Sequence, residues 1–341
     1  MVLFMENQIT FTLFADLHYK KRMYASTVSD MEQIIERAHS SNSDFIIHAG
    51  DLCNDYKGSE ELMKLCLKNK YELPFYGVYG NHELEGNDNS MELVTPLLTN
   101  REVVFGSNDV GYYYFDKNGF RFICLDTNYS LLDGEWVHNL TCSYGPPTGS
   151  TRTNSLGSTQ LKWLEAVLFD ALSNGLKCIT VSHAEFSGQI GRDPSGDALA
   201  VRELFKKVNS KKKTVIMAIN GHYHSDHINL LDGIVYLDCN TVRNGFWSPA
   251  KEHHYSPDMT FDFTDYDCEG IPTKSQKLPL CELSQAKNTW FFTKPLSAVI
   301  RLSDSFIEIE GSNTEWMYGI PNPETDITGV RTSISSARLE I

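Results

Sequence analysis

The chain has 341 residues, 41% of them apolar and 22% charged, the composition of an ordinary globular protein. Its 30 Lys and Arg are outnumbered by 44 Asp and Glu, and the resulting net charge of −14 argues against a broad nucleic-acid surface, which needs clustered cations. A small phosphorylated ligand held at a local positive site stays open, and eleven histidines in so acidic a chain call for an account of where they fall.

Strand-like apolar or β-branched runs occur at residues 9–15, 44–49, 73–79, 121–125, 176–182 and 214–219. Segments with a 3.6-residue period lie between them. Over residues 28–40, Val28, Met31, Ile34, Ile35 and Ala38 share one helical face. Leu62, Leu65 and Cys66 do so after a candidate Ser59 cap. A third helix carries Leu161, Leu164, Leu168, Ala171 and Leu172 and ends near Gly175; a fourth starts near Asp197 and carries Leu199, Leu204, Phe205 and Val208. This alternation is the signature of an α/β fold. From about residue 230 the pattern turns to strands at 234–239, 259–266, 298–302 and 306–310, expected to form a second sheet packed on the first. One domain over residues 1–317 is expected, followed by a loosely ordered tail, 318–341, rich in Pro, Thr and Ser.

No apolar run approaches the roughly 18 residues that a membrane span needs. Residues 1–6 lack the basic and long apolar regions of a signal peptide. The eight cysteines include no Cys-x-x-Cys pair and several sit in apolar runs, which points to a reducing, cytoplasmic setting. Sequons at Asn128 and Asn139 are weak counter-evidence, since such tripeptides arise often by chance.

Five of the strand-like runs lead into metal-ligand residue types. Residues 9–15 lead into Asp16-Leu17-His18, 44–49 into Gly50-Asp51, and 73–79 into Gly80-Asn81-His82-Glu83. Residues 176–182 end at His183, and 214–219 run through Asn220 into Gly221-His222-Tyr223-His224. In an open α/β sheet the carboxyl ends of the strands form the usual crevice, so the five sets would converge. The preceding glycines would let the chain turn sharply beside a ligand. In an extended backbone the outer residues of Asp16-x-His18 and His222-x-His224 would point the same way. Nitrogen and oxygen donors without a thiolate suit Fe, Mn or Zn rather than a structural Cys-type zinc site. Asp-x-His or Gly-Asp alone is a common surface or turn pattern; the ordered conjunction of all five carries the inference.

That ordered set resembles the calcineurin-like metallophosphoesterases, in a branch related to purple acid phosphatases that retains Asp-x-His. The motifs cover residues 9–228. The resemblance implies a four-layer α/β/β/α sandwich of two mixed sheets flanked by helices, and two bound divalent or trivalent metal ions. It would assign Asp16, His18 and His224 to one metal, Asn81, His183 and His222 to the other, and Asp51 as a bridge between both. His82 would lie just outside, facing the phosphate. The tyrosine that purple acid phosphatases carry three residues after the bridging aspartate is replaced by Asn54, which speaks against a purple, tyrosinate-ligated centre.

The expected activity is metal-dependent hydrolysis of a small phosphomonoester or phosphodiester, by a metal-bridging hydroxide and without a phosphoenzyme. Asp51 and His82 are the candidate catalytic residues, His82 stabilising the transition state or protonating the leaving alkoxide. A nuclease on the same fold, or a non-catalytic binding or scaffold protein, are the alternatives; the acidic surface disfavours the first and the intact ligand set the second. Arg243 and Asn244 could reach a substrate phosphate, though surface placement is the default. Glu83 could orient His82 or be an exposed loop residue. His48 and the aromatic run 112–115 read as core, residues 126–128 as a fixer of loops, and His253-His254 as a loop.

Overall fold

The strand-like runs of the first third become β1 (Gln8–Phe14), β2 (Phe45–His48) and β3 (Phe75–Gly77), which pair in parallel. Helices α1 (Val28–Ser40) and α2 (Glu60–Leu67) make the crossovers. The buried face of α1 includes Val28, Met31, Ile34, Ile35 and Ala38, and its first turn is fixed by Asp30, whose carboxylate accepts the Thr27 N–H at 2.7 Å. A short helix α3 (Met91–Val94) and strand β4 (Val104–Phe105) lead to the hairpin β5 (Tyr113–Lys117) and β6 (Phe120–Cys124). Strands β7 (Tyr129–Leu132), β8 (Glu135–His138) and β9 (Thr151–Ser155) then form a small sheet of their own. Next come α4 (Gly157–Ser173), β10 (Lys177–Val181), α5 (Ala198–Asn209), β11 (Val215–Asn220), β12 (His227–Leu231) and β13 (Ile234–Asp238). The remainder is β14 (Phe246–Trp247), β15 (Thr260–Tyr266), β16 (Pro272–Pro279), β17 (Thr289–Trp290), β18 (Ala298–Ser303), β19 (Phe306–Glu310), β20 (Ser312–Asn313), β21 (Ser333–Ile334) and β22 (Ala337–Glu340). This computed structural model describes residues 7–84, 91–107, 111–140, 146–189, 195–247, 255–318 and 331–341.

Two mixed sheets result, one ordered β22-β19-β18-β1-β2-β3 and the other β12-β13-β11-β10-β6-β5-β4. They pack face to face through aromatic side chains: Phe11 and Phe45 of the first sheet meet the Phe122 ring of the second at 5.4 and 5.1 Å. On the far side of the second sheet, Leu164, Leu168 and Ala171 of α4 and Val201, Phe205 and Val208 of α5 are buried with Ile123, Cys178 and Val215. Helices α1 and α2 contribute Met31, Ile34, Leu62 and Cys66 to the core of the first sheet. The layers are therefore α/β/β/α, the fold class expected.

Two expectations about the later chain need correction. The strands after residue 230 do not build a second sheet by themselves. β13 joins β11 in parallel, while β18 and β19 enter the first sheet beside β1. A strand's own residues state its period but not its partner, because pairing is decided by which unsatisfied edge it can reach. Nor are residues 331–341 a loose tail, since β22 pairs with β19 and the buried Ile334 joins the core. Residues 319–330 lie outside the described residues.

Candidate metal centre

Parallel pairing brings the carboxyl ends of β1, β2 and β3 to one edge, and those of β10 and β11 meet them across the seam between sheets. His183, after β10, donates from Nδ1 to the carbonyl of Ala49, after β2, at 2.8 Å. The backbone N–H of His222, after β11, donates to the Asp16 carboxylate at 3.0 and 3.2 Å. Every side chain assigned from the sequence except Asn81 falls into one of three tight groups. Asp16, His18 and His224 form one; Asp51, His183 and His222 a second; and His18, Asp51 and His82 a third, with potential ligand atoms in each within 4.8 Å of one another. Asn81 places a buried Oδ1 that has no hydrogen-bond partner among the described residues.

The local backbone differs from the extended form that would have paired alternate side chains. Asp16, His18, Asp51, His222 and His224 all have positive φ, at 54°, 51°, 54°, 76° and 50°. Left-handed backbone is uncommon outside glycine, and its gathering here is the kind of strain that surrounding structure must hold in place. The turns send His222 and His224 to different groups, one to Asp51 and His183 and the other to Asp16 and His18. The flanking glycines matter through space as much as through turning. A Cβ on Gly221 would sit 2.6 Å from Asp16 Oδ2, and one on Gly80 would overlap the Asp51 carboxylate.

Hydrogen bonds to the outer nitrogens fix which imidazole atom faces inward. His224 Nδ1 donates to the Asn244 carbonyl at 2.8 Å, and His18 Nδ1 faces Asn54 Oδ1 at 3.2 Å. With both Nδ1 protons committed, the two Nε2 atoms present lone pairs to each other at 3.0 Å. Two lone pairs repel at that range, whereas two nitrogens each about 2.1 Å from a shared cation would stand about this far apart. In the other half His222 Nδ1 lies 3.2 Å from His183 Nε2, which is 3.1 Å from Asp51 Oδ2. Burial lowers His18 well below the usual imidazole range and His222 to about 3, which keeps both neutral. Burial acts the same way on His183, but the Asp51 carboxylate beside it prevails and lifts it to about 10. The lone Asn81 oxygen, the facing nitrogens and the thiolate-free donor set fit hard or borderline metal cations.

Three residues in this region do work that the sequence pattern did not disclose. Asn54 bridges two histidines, its Oδ1 facing His18 Nδ1 and its Nδ2 donating to His82 Nδ1 at 3.1 Å. That bond leaves the proton of a neutral His82 on Nε2, which lies 3.9 Å from Asp51 Oδ2 on a side chain 20% exposed. Glu83 does not lie exposed. It is fully buried and accepts the backbone N–H groups of Gly80, Asp51 and Cys53 at 2.5, 3.0 and 3.2 Å, tying the loops after β2 and β3 together. Burial, and then the Asp51 charge, push its carboxyl up to about 8. Asp226, just beyond His224, is buried among partners from the chain's far end.

Other sequence candidates are accounted for by packing. Arg243 is not available to a phosphate: its guanidinium pairs with Asp30 and donates to the carbonyls of Phe292 and Thr293. Asn244 uses its backbone carbonyl for His224 and its side-chain Nδ2 for the Leu17 carbonyl and the Ser26 hydroxyl. Asp126 accepts from Asn128 and pairs with His138 at 2.8 Å, while Thr127 accepts the Ala184 N–H beside His183, so this segment does fix loops. His48 is buried between Phe14 and Phe75, and Tyr112, Tyr113 and Phe115 are buried as read. His253 and His254 lie outside the described residues.

A sequence model of the family described as calcineurin-like phosphoesterase matches residues 9–226. No curated protein matches the chain significantly. Among solved structures, a dimetal phosphatase from Danio rerio superposes with a TM-score of 0.55 at 13% identity, over 91% of this chain and 98% of that one. GAP50 of Plasmodium gives 0.49 at 14% identity, over 98% and 89%. A purple acid phosphatase from yellow lupin (Lupinus luteus) seeds gives 0.46 at 12%, over 97% and 54%. The first of these similarities shows a shared fold.

Proposed function

Because the chain belongs to the calcineurin-like phosphoesterase family and is a phosphoric ester hydrolase, we propose that it cleaves a small phosphomonoester or phosphodiester at a dinuclear metal centre. The observation that carries this reading is the pair of facing Nε2 lone pairs of His18 and His224, 3.0 Å apart, with both outer nitrogens already hydrogen-bonded. Asp16, His18 and His224 would hold one cation, Asn81, His183 and His222 the other, and Asp51 both. Fe, Mn and Zn all suit this donor set. When bound, the two cations supply a water of near-neutral pKa and offset phosphoryl charge.

The residues around them provide the rest. His82, held through Nδ1 by Asn54, presents a protonated Nε2 towards the open side. As a water oxygen bonds to phosphorus and the ester P–O bond breaks in line, the Nε2–H would hydrogen-bond to the departing oxygen and offset its growing charge, while the proton given up by the water would reach the alkoxide through solvent; no phosphoenzyme would form. The net charge of −14 supports a small substrate over a nucleic-acid chain. Unpaired cysteines, five of the seven described being buried, support a cytoplasmic setting, and no described helix is long and apolar enough to cross a membrane.

The test is hydrolysis of a panel of phosphomonoesters, phosphodiesters and nucleotides after reconstitution with Mn, Fe or Zn, with metal stoichiometry measured in parallel. Two equivalents of metal and turnover of at least one substrate class are expected, and Asp51→Asn should lose both. Normal hydrolysis by Asp51→Asn would refute the two-metal reading.

A further inference from the structure

The loop that carries His222 and His224 is strained, with two non-glycine residues at φ 76° and 50°. Strain of this kind persists only where neighbouring structure over-determines it. Toward β11 the loop is held by the Asp16 carboxylate, which accepts the His222 N–H. Its far end is held by Asp226, two residues beyond His224, whose carboxylate takes hydrogen bonds, among the described residues, from the segment 333–335. Ser335 N–H donates to Oδ1 at 2.8 Å, while the Ser333 and Ser335 hydroxyls donate to Oδ2 at 2.7 and 2.8 Å.

This segment is itself fixed independently of Asp226. Asn240 Nδ2 donates to the carbonyls of Arg331 and Ser333 at 2.6 and 3.0 Å. β21 pairs with β20, and Thr314 N–H bonds the Thr332 carbonyl at 2.8 Å. Ile334 is buried in the main core, and Gly311 lies so close to its carbonyl that no Cβ would fit between them. A carboxylate that receives three hydrogen bonds from one rigid strap transmits that strap's position to the loop.

We infer that the Ser333–Ile334–Ser335 strap is a positioning element for the metal-ligand loop, acting through Asp226 to set how tightly the centre holds its cations. The inference rests on the two-cation reading above. Neither serine touches a reacting group, so the effect belongs to metal affinity rather than to the bond-breaking step.

The double variant Ser333→Ala/Ser335→Ala is compared with the full-length wild type by calorimetric titration of the metal-free proteins with Mn²⁺. Loss of such supporting partners is expected to weaken one of the two Mn²⁺ sites about 10- to 100-fold. The turnover number at saturating Mn²⁺ should stay close to wild type, and Ser333→Thr/Ser335→Thr, which keeps the hydroxyls, should restore affinity. If the double variant does not fold by circular dichroism, Ser333→Ala alone carries the test, with a smaller loss expected. Unchanged Mn²⁺ affinity in a folded variant overturns the inference, whatever happens to its melting temperature. A fall in turnover at saturating metal with unchanged affinity overturns it equally. A wild type that binds no Mn²⁺, Fe or Zn refutes the two-cation reading itself, a result distinct from the other two.

Discussion

His82 and Asn81 stand side by side in sequence yet present different chemistry. Asn81 offers a buried oxygen without a partner among the described residues, whereas His82 has its inner nitrogen engaged by Asn54 and its ring partly exposed. We therefore expect His82→Ala to retain metal and lose about 10²–10⁴-fold in turnover, most for esters with poor leaving groups. Metal analysis alongside rates for aryl and alkyl phosphates checks this, and equal losses for both would remove a role for His82 at the leaving oxygen. Gly80→Ala should act on the metal, because the new Cβ would occupy the space of the Asp51 carboxylate. At least a tenfold loss of bound metal is expected for a residue with no side chain of its own, about the effect of disturbing a ligand's immediate support. At this scale the sequence pointed to side chains that the fold does gather, since Asp, Asn and His after apolar runs are a chemical pattern. It did not disclose Asn54 or the burial of Glu83. Their roles depend on which loops meet in space, and nothing in a single chain segment records that.

At the scale of elements, helix and strand positions were legible from periodicity. α1 occupies the 13 residues expected, and β18 and β19 fall within one residue of their apolar runs. What was not legible was the hairpin β7–β8 with β9, whose strands are short and half-exposed and so carry little alternation. The Asp126–His138 pair pins this small sheet to the end of β6. Burial raises the Asp126 pKa, but the nearby His138 and the Asn128 bonds outweigh it, and the folded value lies below the ordinary one. A carboxylate depressed in the folded state adds stability that is present above its unfolded pKa of about 3.9 and is lost as pH falls through the folded value. Asp126→Asn should accordingly destabilise by about 1–3 kcal/mol at pH 7, with the gap from wild type closing below about pH 4. Urea melts across that range test it, and a gap independent of pH would assign the loss to packing.

The whole molecule is two sheets joined by an aromatic core and, at one edge, by the centre itself. Asp16 and Asp51 belong to the first sheet, His183, His222 and His224 to the second, so cations shared among them would tie the halves together. Chelation should then lower the melting temperature as well as abolish activity. Each site saturated at 100 times its dissociation constant contributes about 2.7 kcal/mol of stability. A scan with and without a chelator, followed by Mn²⁺ addition, measures it. No shift in melting would show that the folded protein does not hold the cations in preference to the unfolded chain. The layered architecture was readable in advance from the alternation of elements and the resemblance it supported. The assignment of late strands to the earlier sheet was not, because that depends on an open edge beside β1 created elsewhere in the chain.

That edge has a consequence for how the protein reaches its native state. β1 delivers Asp16, yet one of its two neighbours is β18, with Gln8 opposite Ser303 and Leu13 opposite Ala298. Such a contact spans nearly the whole described chain, and closing so long a loop precedes any reward from the pairing. During synthesis β1 and β2 can pair early, but the other side of β1 stays an open edge until residues 298–303 have left the ribosome. For that interval the nascent chain carries an exposed, aggregation-prone strand border, the kind of surface that chaperones bind.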